Sequence, residues 1–192
     1  SRLWLRPLKE EDAPDAFLWT GDPKVSWYMR YETHESLEDT KQWLREEEKQ
    51  LDSDLLYDFG FHKKDNDELI GSGGLTFNQQ QGIWELGCNL RRDCWNQGYG
   101  TEAAAAILSF AENTLHIHRV MARHAKDNAA SGRVLEKNGF SFVRECWDQK
   151  WSGSHRFECR EYIWKSEKEE EKNSAARNEV ERFYDDEYEE WD

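Results

Sequence analysis

Residues 95–115 constrain the fold more than any other stretch of the chain. Trp95-Asn96-Gln97-Gly98-Tyr99-Gly100-Thr101-Glu102 is polar and carries two glycines. It runs straight into Ala103-Ala104-Ala105-Ala106-Ile107-Leu108. Alanine is the best helix former, and closely spaced glycines mark a turn, so a long helix starts near Gly100 and runs to about Leu115. Ile83 to Leu90, just ahead, has the length and alternation of a strand, and Arg119 to His124, just after, reads as another. Strand, turn, helix and strand make a crossover within one sheet. At its turn, Gly98 and Gly100 let the backbone approach a ligand with no Cβ in the way. The free N–H groups at the start of the helix then favour an anion, and a pyrophosphate fits such a nest.

The remaining segments complete a sheet and its cover. Leu3-Trp4-Leu5 is a short strand that Pro7 ends. Glu10 to Trp19 suits a helix with an acidic first turn, broken by Gly21-Asp22-Pro23. Residues 24–35 are irregular and aromatic. Ser36-Leu37-Glu38-Asp39 is a capping box with Asp in place of the usual Glu or Gln. It starts a helix that runs to about Leu51, with Trp43, Leu44 and Leu51 facing inward. Leu55 to His62, Glu68 to Phe77 and Ile83 to Leu90 are separated by breaks of hairpin length, which predicts an antiparallel meander. Ala129 to Asn138 is a helix capped by Gly139. Strands near Phe142–Trp147 and Phe157–Trp164 are joined by Trp151-Ser152-Gly153-Ser154. The order predicts an α/β (α+β) fold, a mixed and mostly antiparallel central sheet of about seven strands flanked by helices. One domain covers residues 1–164.

Charge excludes one large class of partners. The net charge is −14, and binding nucleic acid through its phosphates needs a basic face. The charge is uneven, because residues 165–192 hold five basic and twelve acidic groups, half of the net value. This acidic tail contains Phe183, Tyr184, Tyr188 and Trp191, and its stretch 175–191 can form a helix. No run approaches the ~20 apolar residues of a membrane span and no targeting segment opens the chain, so neither membrane nor secretion is expected. Cys88, Cys94, Cys146 and Cys159 show no CxxC spacing, and no His completes a zinc site, so no metal is expected. A cytoplasmic protein with reduced thiols follows.

A second segment gives the glycine turn its meaning. A P-loop is excluded because no Gly-Lys-Ser/Thr follows, and the third glycine of a dinucleotide fingerprint is replaced by Ala103. Thirty residues on stands Asn128-Ala129-Ala130-Ser131-Gly132-Arg133-Val134-Leu135-Glu136-Lys137-Asn138-Gly139-Phe140. It resembles the Asn-x-x-Ser…Glu-Lys-x-Gly-Phe signature of the GNAT superfamily of N-acetyltransferases, and the glycine turn resembles that superfamily's acetyl-CoA pyrophosphate loop. With Glu85-Leu86-Gly87, the pattern is similar to the ribosomal-protein alanine acetyltransferase (RimJ/RimL-like) branch. The resemblance covers residues 1–164 and implies acetyl-CoA as co-substrate. It implies that Cys88, Asn89 and Leu90 pair with pantetheine through their backbone, with oxyanion stabilisation from an N–H near Leu90. Asn96, Gln97, Gly98, Tyr99, Gly100 and Thr101 would cradle the pyrophosphate. Asn128 would bond a pantetheine amide, and Ser131 would lie near the thioester sulfur. Two departures stand out. The Tyr that some members carry seven residues after the Asn is Leu135 here, and the Glu that others carry on the preceding strand is Arg123.

Acetyl transfer needs a neutral amine, a polarised carbonyl and help for the departing thiolate. At pH 7 an α-amino group costs about 1.4 kcal/mol to deprotonate and an alkyl ammonium about 4.6. Glu85, two residues before Gly87, is the candidate base, against a plain role as an exposed strand carboxylate. Ser131 is the candidate hydrogen-bond donor to sulfur, against a plain helix-start role. Glu102 suits the helix dipole, and His124 reads as structural. Arg91 and Arg92 either meet the coenzyme's phosphates or form a solvated basic spot. Trp27, Tyr28, Tyr31 and His34 are the candidate acceptor wall, against simple packing. The expected acceptor is a protein N-terminal amine. The alternatives are a small cationic amine, such as an aminoglycoside or polyamine, and a coenzyme-binding module without turnover. A monomer or homodimer is expected.

Overall fold

The computed structural model describes residues 1–169; the stretch 175–191 expected to be helical lies outside the described residues. Seven strands form one sheet in the order β1-β2-β3-β4-β5-β7-β6. These are β1 Leu3–Arg6, β2 Leu56–Lys63, β3 Leu69–Asn78, β4 Ile83–Leu90, β5 Arg119–Ala125, β6 Ser141–Gln149 and β7 Arg156–Lys165. Neighbours run antiparallel except β4 and β5, the crossover pair, which are parallel. The expected mixed, mostly antiparallel sheet is therefore present. β7 inserts between β5 and β6, and Lys165 belongs to it.

Five α-helices cover the sheet among the described residues: α1 Ala13–Thr20, α2 Pro23–Ser26, α3 Leu37–Lys49, α4 Tyr99–Asn113 and α5 Ala129–Lys137. Glu10–Asp12 is a single 3-10 turn ahead of α1. The turn α2 lies in the stretch expected to be irregular. Asp22 caps it by accepting from the Lys24 N–H at 2.9 Å, and Pro23 fixes its first φ. The Ser36 and Asp39 capping box forms reciprocally at the start of α3. Leu51 does not face inward as expected, because α3 stops at Lys49 and leaves it 55% exposed. The inward face instead carries Thr40 and Leu44, with Trp43 beside them.

Each face of the sheet has its own core. The small alanines of α4 suit a close approach to the strands, and Ile107, with none of its surface exposed, belongs to one core cluster with Phe61, Leu75, Leu86 and Val120. Burying one such side chain contributes roughly 1.5–3 kcal/mol. On the opposite face α1 and α3 pack Trp19 and Leu44 over Leu69. Cys146 and Cys159 face each other across β6 and β7 as thiols.

Candidate active site

The site begins where two strands part. β4 and β5 pair at only three positions, Trp84–Val120, Glu85–Met121 and Leu86–Ala122. Beyond Leu86, β4 continues with no strand on that edge among the described residues, while β5 stays paired with β7. Between the diverging strands lies a cleft of about 430 Å³. Its walls are the end of β4, the turn 94–101 and the first turns of α5.

The turn is built as a nest of donors. Asn96 (φ 57°) and Gly98 (φ 85°) are left-handed, the backbone state found in the anion-binding concavities that successive amides form. Gly98 precedes α4 without any side-chain cap, and the helix ladder opens with Glu102 N–H to Gly98 O at 3.1 Å. The N–H groups of Tyr99, Gly100 and Thr101 are left without an acceptor among the described residues. Such a helix start attracts a phosphate. Arg2, which the sequence did not suggest, braces this turn from outside the cleft lining. It lies over the Tyr99 ring at 4.1 Å and donates to the Gln97 carbonyl at 3.0 Å and to Glu102 at 2.9 Å. Glu102 thus has an ionic partner besides the helix dipole.

α5 faces this turn across the cleft. Asn128 caps the helix, its Oδ1 accepting from the Ser131 N–H at 3.3 Å. Ser131 lines the cleft with its hydroxyl free of protein partners among the described residues, and Arg133 and Lys137 line it too. Both cations lie in the quoted Asn128–Phe140 motif, four residues apart and so on one helix face. That spacing was the missed signal. Arg91 is instead engaged by Glu68 and Asp93, and Arg92 by Asp22, so neither lines the cleft. Gly132 lets α5 settle on the buried His124, whose ring nitrogen would stand 2.9 Å from any added Cβ. Burial holds the His124 pKa below the ordinary value, consistent with a structural role.

A second cavity, of about 550 Å³, opens on the α1 and α3 side of the sheet. Met29, Gly87, Cys88 and Asn89 line both spaces, so the two meet at the parting of β4. Asn89 is fixed there, accepting from the Tyr31 hydroxyl at 3.1 Å and donating to the Ser72 carbonyl at 3.0 Å. Tyr31 and His34 line the second cavity and Tyr28 lines the cleft. Trp27 lines neither, being exposed and packed on His155. The structure brings three of the four aromatic candidates to the site.

Glu85 does not line either cavity. Arg30 binds it at 2.8 Å and reaches Asp148 at 2.7 Å. This bridge belongs to a clasp that sequence reasoning did not detect, because its partners lie between 55 and 124 residues apart. The buried Lys150 donates to the carbonyls of Ser26 at 2.6 Å and Tyr31 at 2.8 Å. The Trp151 N–H donates to the Arg30 carbonyl at 2.8 Å, and Ser152 and Ser154 both donate to Glu32. The turn between β6 and β7 thereby holds residues 26–32 against the mouth of the site.

Comparison with known proteins agrees with this geometry. Residues 2–141 match the acetyltransferase (GNAT) domain family. An uncharacterized N-acetyltransferase, p20, of Bacillus licheniformis is 28% identical over 150 residues, covering 75% of this chain and 80% of its own. The [ribosomal protein uS5]-alanine N-acetyltransferase of Escherichia coli is 32% identical over 85 residues, 43% of each chain. A GNAT-family acetyltransferase from Bacillus anthracis has the same fold, with a TM-score of 0.72 at 22% identity over 86% of this chain and 95% of that one. The match spans most of the domain, including the parted strands and the glycine turn, and the chain belongs to the GNAT family of N-acetyltransferases.

Proposed function

We propose that this chain moves the acetyl group of acetyl-CoA to a primary amine on a small, cationic acceptor. The parting of β4 from β5 beside an uncapped helix start carries this reading, because it supplies a backbone edge for pantetheine and donors for a diphosphate. Cys88, Asn89 and Leu90 offer that edge, and Asn96 to Thr101 offer the nest. The amine enters through the second cavity and attacks the thioester carbon near Gly87. The new C–N bond forms as the C–S bond breaks, and the Ser131 hydroxyl donates a hydrogen bond to the departing sulfur. The ammonium first gives up one proton to water, and after attack the nitrogen's second proton passes to the departing sulfur, which leaves as the CoA thiol. A small cationic acceptor is favoured over a protein N-terminus because the cavity is lined by four carboxylates and by no Lys or Arg. A protein N-terminus is the second reading, and the local likeness to the uS5-alanine enzyme favours it.

Release of CoA thiol across an amine panel tests the assignment. Alkyl diamines are expected to turn over faster than peptides with an N-terminal alanine. The reverse order selects the second reading. Coenzyme binding without turnover of any amine leaves a binding module and ends the transferase assignment.

Glu85 is better suited to hold Arg30 and its loop than to accept a proton, because its carboxylate is already engaged. Glu85→Gln is therefore expected to raise the acceptor KM several-fold and leave the pH dependence of kcat in place. A missing limb in that profile would return Glu85 to the role of base.

A further inference from the structure

The second cavity has a wall that acetyl transfer alone does not require. Four carboxylates line it, Glu32, Asp39, Glu47 and Asp58, and no Lys or Arg does. The other titratable groups facing it are Tyr31, His34 and Cys88. Three of the carboxylates have donors of their own. Asp39 caps α3, Glu32 accepts from Ser152 and Ser154, and Glu47 accepts from Trp43 Nε1 at 3.0 Å. Asp58 receives no hydrogen bond from any side chain among the described residues; only the Phe59 backbone N–H acts on it.

Strand register fixes where Asp58 lies. Asp58 pairs with Gly74 on β3, and Gly74 pairs with Gly87 on β4. Directly paired residues project from the same face of an antiparallel sheet. A row without side chains therefore runs from the parting of the strands to the Asp58 carboxylate. The space above Gly87 is open, since an added Cβ would meet nothing within 4 Å. Two strand spacings make the row about 10 Å long. Allowing for the carboxylate's reach and one hydrogen bond, two amine nitrogens joined by about four or five carbons span it.

We infer that Asp58 anchors a second ammonium group of the acceptor, so that the preferred substrate is an aliphatic diamine or a longer amine with that spacing. This inference rests on the transferase reading above and names its substrate class. Burial, and then the charge of Glu47, push the Asp58 carboxyl up to about 7. Burial also raises the Glu47 carboxyl, and burial holds the His34 imidazole below its ordinary value, so no side chain lining the cavity brings Asp58 a compensating cation at neutral pH. An ammonium at Asp58 fills that lack. Its binding requires the ionised carboxylate, so affinity is full above about pH 7 and falls roughly tenfold per unit below it.

The test is calorimetric titration of diaminobutane into the CoA-loaded protein and its Asp58→Asn variant at pH 8 and pH 6. The wild-type protein is expected to bind at least tenfold more tightly at pH 8 than the variant and to weaken toward pH 6, while the variant loses this pH response. Equal affinity in the two proteins, or the same pH response in both, overturns the inference. Asp58→Glu, which keeps the charge, is expected to retain most of the affinity; a loss as large as that of Asp58→Asn also overturns it. Thiol release from acetyl-CoA with diaminobutane and butylamine separates the two readings. Diamine binding that depends on Asp58, with no amine acetylated, removes the transferase reading and keeps the subsite. Turnover of both amines with kcat/KM values within threefold removes the subsite and keeps the transferase.

Discussion

Gly74→Ala is expected to lower the thermal midpoint by about 10 °C or more. An added Cβ would stand 1.8 Å from the Tyr57 carbonyl oxygen and 2.7 Å from its carbon. The obstacle is the backbone of β2, not the end of a flexible side chain. β3 is hydrogen-bonded on both edges, to β2 and to β4, so it cannot step aside without breaking a ladder. Relieving such overlap inside a packed sheet costs about 4 kcal/mol or more, the upper range for single substitutions. A chain of this size loses about 2–4 °C per kcal/mol.

The neighbouring glycine gives the control. Gly87 pairs with Gly74 across β3 and β4, yet a Cβ there meets nothing within 4 Å. Gly87→Ala is expected to stay within about 2 °C of the parent, since a substitution free of strain and of lost contacts has a small effect. Its methyl group would stand where the cleft and the second cavity meet. Thermal unfolding of both variants checks the pair, and a shift under about 3 °C for Gly74→Ala would show that β3 yields locally.

The contrast also indicates which parts of the molecule the sequence could reveal. The crossover was legible because its signals are local: Gly98, the alanine run, the Asn128 cap and Gly139, which has φ 81°. The Ser36–Asp39 box was legible for the same reason. The place of β7 between β5 and β6 was not, because an alternating strand records which face is buried and not which strand lies beside it. Glu85 shows the same limit within the site. Its position on β4 was readable, but its engagement with Arg30 depends on a loop and a hairpin that meet only in the folded chain. Asp58 sat unnoticed within an alternating strand, on the face opposite Tyr57 and Phe59, which pack toward α4. Its setting comes from glycines on two other strands.

Gly98→Val is expected to weaken CoA binding at least thirtyfold, about 2 kcal/mol, with a smaller loss of stability. The sequence treats Gly98 and Gly100 alike; the structure separates them. Gly98 has φ 85°, where a side chain is strained, whereas a Cβ on Gly100 would meet Val134 at 3.4 Å and Leu90 at 3.5 Å, close to ordinary contact. A β-branched residue at Gly98 drives the backbone toward negative φ, because the left-handed conformation costs about 1–2 kcal/mol for an L-residue. The peptide planes of Gly98 and Tyr99 then rotate, and the free N–H groups of Tyr99, Gly100 and Thr101 no longer converge on one anion. The new side chain also crowds the Arg2 guanidinium, 3.4 Å from a Cβ at this position, and disturbs its bonds to Gln97 and Glu102. Donor alignment and the Arg2 brace on the turn fail together. Gly100→Ala changes neither, so its affinity is expected to stay within about fivefold, about 1 kcal/mol. Titration of CoA into the two variants compares them directly. An affinity for Gly98→Val within threefold of the parent would mean that the diphosphate is held elsewhere, and the cleft would lose its assignment as the coenzyme site.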